Sequence, residues 1–175
     1  MFSNTLDTAE AALAALQGSG EERIVEASRF PAILYEQLSV SGVHYCQCSF
    51  SNAEFDTVTF RGCHFILCFF DFVSFREVRF EECTFSYSCF ASAKFDRCSF
   101  EGSDLPLCNF NGVEVHQSSF SDTDLEDARF INARLRESSF ENANCTRTFF
   151  QFSVQDKVSF KYTNVEDAYF QTGLR

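Results

Sequence analysis

The chain has 175 residues, a length suited to one domain, and its 25 acidic against 14 basic side chains give a net charge of −11. That balance excludes general binding to nucleic acid or to an anionic membrane, because phosphate contact needs Lys and Arg, and it leaves a basic protein partner open. The 24 Phe, with no Trp, 2 Pro and 1 Met, exceed what an ordinary core uses and call for a search for internal repeats.

Residues 1–37 do not repeat and are expected to form an N-terminal α-helical cap. Asp7 followed by Glu10 resembles a capping box, with Leu6, Ala9, Leu13 and Leu16 on one face and Gly18 as the stop. A second short amphipathic segment is expected from Glu21 to Ala27. The Ala-rich stretch from Ala9 to Leu16 contains Glu10 and follows no Lys or Arg, so it does not read as a secretory signal. No apolar run reaches membrane-span length. The 9 Cys form no CxxC pair, which signals neither zinc ribbon nor disulfide framework. Free thiols in a reducing cytoplasm are the expectation.

From Leu38 the chain cuts into blocks of five: LSVSG, VHYCQ, CSFSN, AEFDT, VTFRG, CHFIL and onward, 27 blocks to Thr172 without a slip, leaving residues 173–175 as a tail. The third position always falls on a number divisible by five, and is Phe, Leu, Val, Tyr or Cys everywhere but Gln155. The first position is nearly always Ala, Cys, Ser, Thr or Val. A period of five fits neither helix nor strand. A corner in every block keeps all the third positions inward.

This pattern resembles the pentapeptide-repeat family, and the resemblance covers residues 38–172. It implies an all-β fold, a right-handed quadrilateral parallel β-helix of just under seven coils, about 32 Å long at the usual strand spacing. Four blocks then close one coil, and residues twenty apart stack. Phe50, Phe70, Phe90, Phe110, Phe130, Phe150 and Phe170 fall in one column, and Phe60, Phe80, Phe100, Phe120, Phe140 and Phe160 in the opposite one. The N-terminal helices are expected to cover the open first ring. Cys48, Cys63, Cys68, Cys83, Cys98 and Cys108, at the first position, are expected to be buried, inert thiols.

Two outward features are candidates for partner contact. One is an acidic stripe of Asp104, Asp124, Glu126, Asp127, Glu166 and Asp167 on a single face, against only Arg147. The other is an apolar patch of Phe69, Phe72, Phe149 and Phe152, where the pattern asks for polar residues. It fits contact with a partner, a homodimer interface, a surface covered by the N-terminal segment, or mere scatter of apolar residues over the surface. His44 and His64, beside Cys46, stack without a further ligand, so no metal is assigned. The run Ser121 to Asp127 lacks the glycine and final glutamate of a calcium loop. No catalytic motif, and so no catalytic residue or cofactor, is read.

The chain is therefore expected to bind rather than catalyse. Its Phe-rich, Cys-containing blocks are similar to the quinolone-resistance and topoisomerase-protecting branch of the family, in which an acidic rod occupies the DNA-binding saddle of gyrase. That similarity implies a DNA mimic that modulates a topoisomerase or protects it from inhibitors. The chain departs from that branch at its end, where only Gly173, Leu174 and Arg175 follow the last block in place of a helical dimerisation module. Projecting loops are absent as well. The alternatives are a protein-interaction scaffold, such as a regulator or secreted effector using the Phe surface, and a purely structural repeat protein.

Overall fold

The five-residue block becomes one side of a square because its fifth residue turns the chain. From Ala27 to Asp167 every fifth-position residue except Ala32 has left-handed backbone, with φ between 45° and 72°. Only Gly42, Gly62, Gly102 and Gly112 meet that demand without a side chain. The computed structural model describes residues 4–17 and 23–171, and within it the chain winds about seven turns of a parallel β-solenoid.

From Phe30 to Phe150 each third residue is buried, while Gln155, Val165 and Phe170 in the last coil are exposed, and residues twenty apart pair in parallel register, as Phe55 with Phe75 and Phe75 with Phe95. We name the four faces by the inward residues of one coil: Phe110, Val115, Phe120 and Leu125. The Val115 face is a seven-stranded sheet from Leu34–Glu36 to Val154–Asp156. The Phe120 and Leu125 faces hold three and four strands and shorten to single bridges from Ser99 and Asp104 onward. The Phe110 face is made of single bridges from Arg29 to Tyr169.

Both Phe columns stack as the spacing predicts. Ring centroids lie 4.7 to 5.2 Å apart from Phe50 to Phe170 and 4.6 to 5.2 Å apart from Phe60 to Phe160. Neighbouring columns meet edge to face, as Phe120 with Phe130 at 89°, so each ring packs in the two geometries its quadrupole favours.

The first position does more than stay small. Cys48, Cys68, Cys83 and Cys108 direct their thiols at the third-position carbonyl 23 residues earlier, 3.3 to 3.4 Å away. Ser88, Ser103 and Thr148 do the same at 2.8 to 3.1 Å. A short donor at this site satisfies a buried carbonyl between coils. All nine cysteines are free, and burial pushes the Cys98, Cys108 and Cys145 thiols up to about 12.

The N-terminal expectation needs correction. Coils begin before Leu38: Ile24–Glu26 pairs with His44–Cys46, and Leu34–Glu36 with Glu54–Asp56. Phe30 stacks on Phe50 at 4.3 Å and Tyr35 on Phe55 at 5.0 Å. Residues 23–37 are thus three further blocks, with Val25, Phe30 and Tyr35 at third positions. Ile24 to Ala27 therefore does not form the expected second helix, and Glu21 lies outside the described residues. Pro31 and the exposed Ile24 and Leu34 hide the pattern, because outward apolar residues blur the contrast that marks a block.

One helix, α1 (Ala9–Gln17), remains as the cap. Its N-cap is Thr8 rather than Asp7: the Thr8 hydroxyl accepts from the Ala11 amide at 3.1 Å. Ala12 and Leu16 are its buried residues, while Ala9 is exposed. Asn4–Thr5 precedes it as a short strand beside Ser28–Arg29. The Tyr45 hydroxyl donates to the Leu16 carbonyl and ties the helix to the ring below. Gly18 and residues 172–175 lie outside the described residues.

Candidate protein-binding surface

Because every outward residue has a neighbour twenty residues on, the surface is a set of vertical columns about 4.8 Å apart per step. The acidic stripe occupies three of them. Asp104 and Asp124 are register partners, a like-charged pair that neighbouring amides relieve. Asn144 Nδ2 donates to Asp124 Oδ1 at 2.9 Å, the Glu126 amide donates to the same oxygen at 3.1 Å, and Asn164 Nδ2 donates to Asn144 at 3.3 Å.

The other four acids flank Arg147. Its Nε and Nη2 donate to Asp127 at 3.0 and 2.8 Å, and Nη2 also reaches Glu126. The guanidinium holds the Asp127 carboxyl below its usual range. Glu166 and Asp167, one coil further on, are exposed. The structure therefore brings all six acids to one face, and shows two of them sharing a cation.

The four Phe do not form one patch. Phe69 and Phe149 stand in one column and Phe72 and Phe152 in another, the two pairs four coils apart, about 19 Å. Phe72 is 65% exposed and Phe152 48%. Phe149 is half-buried, with Tyr169 stacked on it at 4.7 Å and Arg129 5.9 Å from its centroid. Helix α1 sits at the end of the stack and leaves Phe72 uncovered.

Sequence reasoning missed a different apolar column. Leu67, Tyr87 and Leu107 follow one another at the corner between the Leu125 and Phe110 faces, with Ile66 beside them, and all four are exposed. The signal was present: in blocks CHFIL, CTFSY and SDLPL the fifth residue is large and apolar at a spacing of twenty.

His44 and His64 stack with centroids 4.3 Å apart, and His64 Nδ1 meets the Thr84 hydroxyl at 2.7 Å. Burial, then His44, lowers the His64 pKa. Among the described residues no group of three His, Cys, Asp or Glu side chains is placed to hold a metal ion. The opposite Val115 face is an ion-pair lattice, in which Arg76 pairs with Asp56, Lys94 with Glu114, and Arg134 with Glu114. No helix among the described residues is long and apolar enough to cross a membrane.

The described residues form a parallel solenoid with a left-handed corner in nearly every block of five, and residues 73–150 match the family model described as Pentapeptide repeat region. No curated protein sequence matches the chain. Among solved structures it is similar to QnrB1, a plasmid-mediated fluoroquinolone resistance protein, at 16% identity over 82% of this chain and 83% of that one, with a TM-score of 0.41. It is also similar to HetL, a pentapeptide repeat protein involved in heterocyst differentiation regulation from the cyanobacterium Nostoc sp. strain PCC 7120, at 10% identity over 85% and 89% with a TM-score of 0.34. For Rfr23 from the cyanobacterium Cyanothece 51142 the figures are 14%, 69% and 87%, and 0.41.

Proposed function

We propose that this chain is a non-catalytic rod that binds the basic surface of a DNA-binding protein, in the manner of a DNA mimic, with gyrase as the first candidate. The carrying observation is the acidic stripe. Six carboxylates less one guanidinium are spread from Asp104 to Asp167, three coil rises or about 14 Å. That is about one net charge per 3 Å, close to the one per 3.4 Å along a single strand of duplex DNA. A rigid ladder holds these charges at fixed spacing, so opposing Lys and Arg meet them without ordering flexible loops. The nine free thiols fit a reducing compartment, and we place the protein in the cytoplasm.

The test is gyrase supercoiling, with and without a quinolone, across a salt series. A salt-sensitive effect on supercoiling or on quinolone protection, lost in Asp124→Asn/Glu126→Gln/Asp127→Asn, is the expected result. An effect that survives those substitutions, or none at micromolar protein, overturns the mimic and favours a scaffold that binds through its apolar residues.

A further inference from the structure

The acidic stripe and the apolar corner are two halves of one line. The column of fifth-position residues that reads Leu67, Tyr87, Leu107 continues as Asp127, Arg147, Asp167. Beside it the fourth-position column carries Ile66 at the apolar end, then Glu126 and Glu166 at the acidic end. The line runs along the solenoid axis for five coil rises, about 24 Å.

The apolar half is not required by the fold. Corner residues hold left-handed backbone, φ 53° at Leu67, 54° at Tyr87 and 59° at Leu107, where Gly and Asn fit with least strain and large apolar side chains with most. Nor do these side chains fill the core: Tyr87 is 62% exposed, Leu67 43% and Leu107 45%. Three strained, exposed, apolar residues in consecutive coils of one column are a contact surface rather than scatter.

We propose that this composite corner docks an amphipathic helix whose contact face is apolar at one end and basic at the other. This deepens the acidic-stripe reading and rests on it. The charge selects the occupant: a second copy of this chain is itself at −11, and the cations of its Val115 face are already paired with its own carboxylates. The geometry selects a helix. One turn rises about 5.4 Å and one coil about 4.8 Å, so successive turns meet successive coils. About 16 residues span the line. Leu or Phe in the first two turns would cover Leu67, Tyr87 and Leu107, and Arg or Lys in the last two would face Glu126, Asp127, Glu166 and Asp167.

The experiment is fluorescence anisotropy with a labelled synthetic peptide of that design, and a second peptide of equal composition in which Leu and Arg are interspersed. The ordered peptide should bind at least about tenfold tighter than the interspersed one, a difference of about 1.4 kcal/mol. Tyr87→Ser/Leu107→Ser should weaken it about tenfold at every salt concentration. Asp127→Asn/Asp167→Asn should weaken it at low salt and flatten the salt slope. Phe72→Ser/Phe152→Ser, on another corner, should leave affinity unchanged, and circular dichroism establishes that each variant folds.

Equal binding of the two peptides, no binding of either, or indifference to Tyr87→Ser/Leu107→Ser overturns the composite site. If affinity falls only when the acids are neutralised, the acidic-stripe reading stands and this inference fails. If it falls only with the apolar variant, both fail. A concentration-dependent dimer in sedimentation, abolished by Tyr87→Ser/Leu107→Ser, also overturns it by making a second copy the occupant.

Discussion

Phe110 lies directly beneath Phe90, with ring centroids 4.8 Å apart and ring planes 2° from parallel. Phe130 repeats the relationship below it at 4.7 Å and 4°. Phe110 is fully buried, so its removal opens a cavity between two rings that the backbone ladder holds in place. Phe110→Ala should destabilise the protein by about 3–5 kcal/mol, read as a fall in the urea midpoint. An unchanged midpoint would contradict the column.

The corners should behave oppositely. Tyr87→Asn and Leu107→Asn keep the left-handed backbone with a residue that tolerates it, and the side chains they replace lie outside the core, 62% and 45% exposed. Each should leave stability within about 0.5 kcal/mol of the parent or raise it. A loss like that of Phe110→Ala would mean that these side chains serve the fold instead of a contact.

Stability should fall in acid. Arg147 lowers the pKa of Asp127, Arg76 that of Asp56, and Lys157, then Gln117, that of Glu137. A carboxyl whose folded pKa is depressed contributes stability above its unfolded value, near 4, and loses it as pH falls through the folded value. The melting temperature should therefore be level above about pH 5 and decline below about pH 4. The exposure of these pairs keeps each contribution small. Arg147→Met should shallow the decline, and an unaltered profile would remove Asp127 from it.

Thiol chemistry should separate the cysteines. Cys98, Cys108 and Cys145 are buried with pKa raised to about 12. Half-buried Cys89, raised to about 11 by burial and then by Asp71, points its thiol at the Asp71 carboxylate 2.9 Å away. In the native protein at pH 8 a thiol reagent should leave these four largely unmodified, and all nine should react in guanidinium. Fast labelling of Cys108 would refute the burial assigned to the first position.

The coil was legible because one constraint acts on every block. A large residue at each multiple of five must face inward, and stacked rings must align, so periodicity alone carries the columns from Val40 to Phe170. The same rule covered Val25, Phe30 and Tyr35, yet the outward Ile24 and Leu34 and the proline between them masked it. Half of the candidate surface was legible too, since acids twenty apart must share a face.

By itself the sequence determined the period, the inward set and the buried small position, since burial admits few side chains and repeats its choice. The tertiary structure alone decided how outward side chains meet. Arg147 turns to Glu126 and Asp127, Tyr169 covers Phe149, and Leu67, Tyr87 and Leu107 line up above Asp127 on one corner. Outward positions answer to rotamers and to neighbours a full coil away, and no local rule of composition encodes either.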